Sequence, residues 1–397
     1  MKSKVAYLMV SVFFVSCIEQ IDLATETEFE SALVIEATIT DELKKQQIVL
    51  SKTFRLEEEG PSPESFASVR LVTGNGDFII FQEEGEPGVY FSENEFAAEP
   101  NLDYHLEITT SDGKDYGSTI TQLTAHTQID DLYLERGLNE NDEEGISIFI
   151  DSFDPTGNSK LYRYTYEETY KIIAPFYQSL DLVVVEFIFP NCPIFEFQLK
   201  EEPQQICYNT VNSKEIILEN TNKFEEDRID RFRVRFISRN NYIMSHRYSI
   251  MVRQYTQSNE AFIYYEALRD LSSSESLLSQ TQPGFFEGNV FSMSNSKEKV
   301  IGFFEVSSVD SRRIYFNYED EFPGEFLPPY YINCSLFSPE NCTPGGSPLA
   351  NHLERGDKWF QNNPSPEPFS GTYNLVQAPC GDCRVLGSTT PPDFWIE

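Results

Sequence analysis

Seven cysteines carry most of the chemistry that this sequence offers: Cys17, Cys192, Cys207, Cys334, Cys342, Cys380 and Cys383. Two of them stand as Cys380-Gly381-Asp382-Cys383. A redox pair with that spacing should follow a strand and open a helix, because the positive helix end lowers the thiol pKa. Here Pro379 precedes the motif, and Arg384-Val385-Leu386-Gly387 follows it and reads as extended chain. A zinc site needs a second close pair, and Cys334 and Cys342 stand too far apart for the usual spacing. A disulfide fits best, with zinc and redox roles as the weaker readings. Once Cys17 is set apart, six cysteines remain, an even number that reads as a disulfide set in an exported protein. Proximity in sequence suggests local pairs: Cys192 with Cys207, Cys334 with Cys342, and Cys380 with Cys383.

Cys17 belongs to different chemistry. Lys2 and Lys4 give a basic start, Val5 to Val15 is largely apolar, and Ser16 is a small residue directly before the thiol. That order is an export leader whose cleavage would leave Cys17 first and available for acylation. The run is too short for a membrane-spanning helix, which needs roughly 20 apolar residues. Two or more acyl chains hold a protein stably in a bilayer. Ile18 rather than Asp follows Cys17, which favours the outer membrane, and Glu19 and Asp22 favour the cell surface.

The remaining candidates are less specific. The four histidines, His105, His126, His246 and His352, share no metal-ligand spacing on a helix, and no His-Glu-x-x-His occurs. No nucleophile elbow, phosphate-binding glycine loop or dinucleotide fingerprint is present. A carboxylate pair for glycoside hydrolysis can be drawn anywhere among 64 acids, so two close in sequence say little. The polar run Asn139 to Gly145 misplaces the glycine and the closing acid of a calcium loop and reads as a hairpin tip. Arg231, Arg233 and Arg235 alternate along one strand; they would either grip an anionic ligand or partner, or balance neighbouring acids. Tyr162, Tyr164, Tyr166 and Tyr170 would form a binding platform if exposed and core if buried. No cofactor is expected.

These residues are positioned by β structure. Aromatic residues make up 14% of the chain, with 32 Phe and 21 Tyr, and β-formers outnumber helix formers in most windows. The net charge of -34 argues against recognition of nucleic-acid phosphates. Val69 to Thr73 and Asp77 to Phe81 flank Asn75-Gly76, a hairpin turn. Tyr104 to Thr109 alternates strictly. The fold class is therefore mainly β. After a leader (1–16) and an acylated tether (17–31), we expect an immunoglobulin-like antiparallel sandwich over 32–123. A second, larger β-rich domain follows over 124–322. It contains the apolar run Leu182 to Phe189, read as a buried strand, and one notable helix over 258–271. Ser258 caps that helix, and Ala261, Tyr265, Leu268 and Leu271 share its buried side. Residues 323–397, rich in Cys, Pro and Gly, form an irregular segment stapled to the second domain.

Four stretches together resemble a Bacteroidetes lipoprotein family known as domain of unknown function 4249. They are Ser16-Cys17-Ile18-Glu19 leading into Leu33-Val34-Ile35-Glu36-Ala37; Phe149-Ile150-Asp151-Ser152-Phe153-Asp154-Pro155 with Tyr162-Arg163-Tyr164; Tyr248-Ser249-Ile250 through Val300-Ile301-Gly302-Phe303-Phe304; and Cys380-Gly381-Asp382-Cys383 with Pro392-Asp393-Phe394-Trp395. The resemblance implies an outer-membrane lipoprotein, often encoded beside a TonB-dependent receptor, with no established activity and no catalytic residues to carry over. The expected function is non-enzymatic: capture or presentation of a substrate for a TonB-dependent transporter. Two rivals are a structural or assembly lipoprotein that binds other envelope proteins, and an acid-pair hydrolase.

Overall fold

The computed structural model describes residues 31–397 apart from 56, 59, 189–191, 274–286 and 361–372. Cys17 and the leader lie outside the described residues. Seven principal strands open the chain: β1 (Leu33–Thr40), β2 (Gln47–Lys52), β3 (Ser68–Thr73), β4 (Phe78–Glu83), β5 (Val89–Ser92), β6 (Asp103–Thr109) and β7 (Asp115–Ser118). The middle of the chain forms β8 (Ile129–Leu138), β9 (Glu144–Asp154), β10 (Leu161–Ile173), β11 (Leu180–Ile188), β12 (Cys192–Leu199), β13 (Ile206–Asn212), β14 (Ile217–Asn220), β15 (Asp227–Ser238) and β16 (Arg247–Thr256). Helix α1 (Asn259–Ser273) leads to β17 (Val290–Ser292), β18 (Val300–Ser307) and β19 (Val309–Asn317); a short helix, α2 (Pro348–Glu354), lies in the C-terminal segment.

The protein is mainly β, as its alternation predicts, but the first unit does not end at Leu123. Its sheet runs β17-β7-β6-β3-β4-β5-β2-β1-β18, so both of its outermost strands come from beyond α1. β18 lies parallel to β1, with Ile35 opposite Gly302. A Cβ on Gly302 would sit 2.0 Å from the Ile35 carbonyl oxygen, and its φ of +136° also favours glycine. The two ends of the sheet meet, which makes the unit barrel-like. The Asn289 side chain laces them: it donates to the Phe304 carbonyl and accepts from the Phe304 amide, both at 2.7 Å. Ile35, Ile39, Ile48, Leu50, Leu71 and Leu106 fill the interior.

The second unit is a sandwich. One sheet is β8-β9-β15; the other is β13-β10-β16-β19, with β14 also on β10. Ile146, Ile148 and Ile150 of β9 face Tyr162, Tyr164, Tyr166 and Tyr170 of β10 across a common core. The tyrosine row is therefore packing, not a platform. α1 begins as expected, with Ser258 Oγ accepting from the Ala261 amide at 3.1 Å. Its buried side differs: Ala261, Phe262 and Tyr264 are buried, while Leu271 is exposed.

The expected cysteine pairs are all corrected. The bonds are Cys192–Cys342, Cys207–Cys383 and Cys334–Cys380. Each joins parts of the chain far apart in sequence and brings the paired Cα atoms to 5.2, 5.6 and 5.8 Å. Local pairing fails because Cys380 and Cys383 stand in successive helical turns, not in extended chain, and meet partners in different directions. Digestion without reductant should yield these three cross-linked peptides; a peptide pair joining Cys192 to Cys207 would refute the arrangement.

Between those cysteines, Asp382 is buried and caps the second turn through the Arg384 amide at 3.0 Å. Burial alone pushes its carboxyl upward, but the Arg384 hydrogen bonds and the Lys358 and Arg384 charges hold it below the usual carboxylate range. A depressed folded pKa gives stability that is present above the unfolded value, near 4, and lost as pH falls through the folded value. Each unit of depression is worth about 1.4 kcal/mol. Asp382→Asn should therefore flatten the acid limb of a stability–pH curve below about pH 4; an unchanged acid limb would show that Asp382 contributes nothing to it.

Candidate functional site

The arginine strand β15 is where sequence and structure diverge most usefully. Strict alternation would place Arg231, Arg233 and Arg235 on one face. The β9–β15 register shifts between Ile148 and Phe149, which face Arg235 and Arg233 respectively, so Val234 is the extra residue of a bulge. One added residue reverses the side-chain faces beyond it. Arg235 therefore turns inward, and only Arg231 and Arg233 remain outside.

Inside the sandwich, Arg235 donates two hydrogen bonds to Glu168, both at 3.2 Å, and the Tyr248 hydroxyl donates to the same carboxylate at 2.6 Å. Burial acts most strongly and would lower the Arg235 pKa; the Glu168 charge and hydrogen bonds, with Tyr166 and Tyr248, together raise it instead. Burial and the neighbouring Glu168 raise the Tyr248 hydroxyl pKa well above its ordinary value. Arg235 is thus a structural ion-pair partner, not a ligand group.

Outside, a second register shift sets Asp151 against Arg231. Arg231 has φ of 53°, in the left-handed region, and its amide donates to Asp151 Oδ1 at 2.7 Å. Non-glycine residues held this way collect at functional sites. The guanidinium of Arg231 lies 4.6 Å above the Phe149 ring, and that of Arg228 lies 4.1 Å above Phe153. Tyr133 packs on Phe149 at 5.8 Å. Arg231 pairs with Glu135, and Arg233 pairs with Glu140 at 2.5 Å. On the opposite, inward side of these strands, at the end of the sandwich, Arg136 and Arg239 share Glu144 and Glu325.

A groove of 530 Å³ runs along this edge of the sandwich, lined by Arg228, Arg231, Arg233, Phe224 and Glu226 among others. Its three arginines are matched by Glu219, Glu226 and Asp230, so its charge is balanced. Exposed ion pairs contribute only about 0–1 kcal/mol each. An incoming polar group can therefore exchange with the glutamates at little cost. The groove offers planar donors, carboxylate acceptors and aromatic rings side by side, which suits recognition of a polar ligand or a partner surface. Phe149, Phe153 and Phe224 escape a sequence reading; the one signal is that Phe149 and Phe153 occupy the outward positions of a strand whose inward positions are isoleucine.

The other candidates stay apart from this face. His105 lies by Glu107, His126 bonds Ser308 at 2.8 Å, and His352 bonds Asp357 at 2.8 Å. His246 lies by Lys171 and Arg247 beside a separate cavity of 680 Å³, where burial and then the Lys171 charge lower its pKa. Among the described residues, no group of three or more His, Cys, Asp or Glu is placed to hold a metal ion. The Asn139–Glu143 turn is a hairpin tip in which Asn139 Oδ1 accepts from the Asn141 and Glu143 amides.

The model of one family, Domain of unknown function (DUF4249), matches residues 18–313. The chain belongs to that family. No curated protein and no solved structure matches it. The DUF4249 match covers the barrel-like unit and all the sandwich strands but the end of β19, so the arginine face lies wholly within it. Four of the six disulfide cysteines, Cys334, Cys342, Cys380 and Cys383, lie outside the matched residues. Among the described residues, no helix is long and apolar enough to cross a membrane.

Proposed function

We propose that this DUF4249 protein is a non-enzymatic lipoprotein of the outer membrane. It is anchored through Cys17 and captures or presents a substrate for a TonB-dependent transporter. The observation that carries the reading is the set of three disulfides between distant segments. Such bonds persist in oxidising compartments, and the leader ending in Ser16-Cys17 provides the route there. The arginine–aromatic face supports a binding role: its cations are paired and stacked, and they lie beside an open groove.

Palmitate labelling that is blocked by globomycin tests the anchor. Co-purification from detergent-solubilised outer membrane tests the partner, and recovery without any β-barrel protein would count against it. A deletion strain that loses uptake of one nutrient supports substrate capture. Broad envelope defects with unchanged uptake would favour an assembly role. Arg231→Glu with Arg233→Glu should abolish co-purification while leaving the amount of folded protein unchanged.

A further inference from the structure

The sandwich sheet β13-β10-β16-β19 turns its tyrosines inward, and its outer face carries a different set of side chains. Paired residues share a face and successive ones alternate. Tyr170, Tyr248 and Phe316 point into the core. Outside, Glu167, Met251 and Arg313 form one row across the strands, and Thr169, Ser249 and Tyr315 form the next. Beyond them Lys171 pairs with Tyr208, and Arg247 with Asn317. Thr169 and Ser249, on the two central strands, are small and fully buried, a low floor between the strands of Tyr208 and Tyr315.

Residues 393–397 of the same chain lie on this face. The Arg313 guanidinium is 3.6 Å from the centre of the Phe394 ring, and the Tyr315 hydroxyl donates to the Phe394 carbonyl at 2.5 Å. The Trp395 ring meets Tyr208 at 5.1 Å and Tyr315 at 6.4 Å. Arg247 donates to the Ile396 carbonyl. Glu397 accepts from Lys171 at 2.8 Å and from the Tyr208 hydroxyl at 2.7 Å. The seat thus reads an aromatic pair and a carboxylate two residues on.

The seat is held in shape by contacts of its own. Arg313 donates to Glu167 at 2.5 Å and to Ser249 at 3.0 Å, and Arg247 donates to Asn317 at 3.0 Å. A site fixed in this way is preorganised for binding. The segment is held less firmly: Phe394 and Trp395 are half-buried, and Ile396 and Glu397 are exposed. Ion pairs open to water contribute little. Its root is fixed, because Cys207–Cys383 and the paired backbones of Tyr208 and Ser388 fasten the chain to β13. A segment on so short a lead is present at an effective concentration on the order of millimolar. It therefore holds the seat until a tighter segment takes it. Beside Glu397 a cavity of 680 Å³ opens, lined by Lys171, His246 and Arg247 among others. A partner segment that continues past its carboxylate finds room there.

We propose that residues 393–397 are a displaceable strap over a docking seat, and that the seat takes an acidic aromatic peptide segment of a partner protein. The seat lies on the opposite sheet from the arginine groove, so it depends neither on that groove nor on the anchor.

Binding is read by the anisotropy of a fluorescein-labelled, amidated peptide with the sequence of residues 391–397. The protein is the chain without its leader and with Cys17→Ser. Disabling the strap with Phe394→Ala, Trp395→Ala and Glu397→Ala should make the chain bind the peptide at least tenfold more tightly than the parent. Adding Lys171→Ala and Arg313→Ala should lower that binding at least tenfold. Adding Phe78→Asp instead, at an exposed position of the barrel-like unit, should leave it unchanged. In the parent, the amides of residues 393–397 should exchange hydrogen far faster than those of β16. Absence of binding by the strap-disabled chain at millimolar peptide would overturn the proposal, as would equal binding by the parent. Exchange of the segment no faster than β16 would make it a fixed part of the sandwich and overturn the strap. A parent dimer dispersed by Lys171→Ala with Arg313→Ala would overturn the proposal in favour of segments swapped between copies.

Discussion

Arg163→Ala should destabilise the protein by about 3–5 kcal/mol, the usual cost of removing one member of a buried ion pair. Arg163 on β10 belongs to the sandwich, and Glu305 on β18 belongs to the barrel-like unit. Their ion pair crosses between the two. The guanidinium lies 4.4 Å from the Tyr255 ring and 4.6 Å from the Tyr265 ring. Glu305 also accepts from Thr38 at 2.8 Å, Gln257 at 2.9 Å and Tyr265 at 3.3 Å. Burial acts most strongly and would lower the Arg163 pKa, but the Glu305 charge and hydrogen bond, with Tyr265 and Tyr255, together raise it and keep the cation charged. Removing Arg163 strands a buried carboxylate among neutral donors. Replacing both partners with methionine should recover much of the loss, because well-packed apolar residues can substitute for a buried pair. Calorimetry adds a second reading: the parent should unfold in one transition and Arg163→Ala in two, since the pair couples the units. A loss below about 1 kcal/mol in urea titration, the scale of an exposed pair, would show that the pair holds nothing together.

That coupling also explains what could be read from the sequence and what could not. Local rules succeed where the partner is close in the chain. The Asn75-Gly76 turn sets Val72 opposite Phe78 as its flanking alternation requires, and Ser258 announces α1 through its own side chain. They fail where the partner is distant. The parallel pairing of β1 with β18 joins residues separated by most of the chain, and neither strand differs locally from one that pairs with its neighbour. The disulfides fail for the same reason: cysteine spacing says nothing of a bond spanning 176 residues, as Cys207–Cys383 does. The Leu182 to Phe189 run misleads in another way. It reads as one buried strand, yet Leu182 is buried while Val185, Phe187 and Ile188 are exposed, and Phe189 lies outside the described residues.

The bulge at Val234 is the failure that matters most for the site, because no glycine announces it, and it separates two kinds of arginine that look alike in sequence. Arg235→Ala should cost about 3–5 kcal/mol, since it leaves the Glu168 carboxylate buried beside Tyr248 without its cation. Arg233→Ala removes an exposed pair with Glu140 and should cost less than about 1 kcal/mol. Urea unfolding of the two variants checks the contrast, and equal costs would place both side chains on one face after all. The difference decides how binding experiments are interpreted. Lost capture in an Arg235 variant reports a disturbed sandwich and says nothing about a ligand. Lost capture in an Arg233 or Arg231 variant of unchanged stability reports the outer face itself. Glu168→Gln completes the argument: it leaves Arg235 buried without its counter-charge, so it should destabilise on the same scale while the outer groove keeps every one of its lining residues.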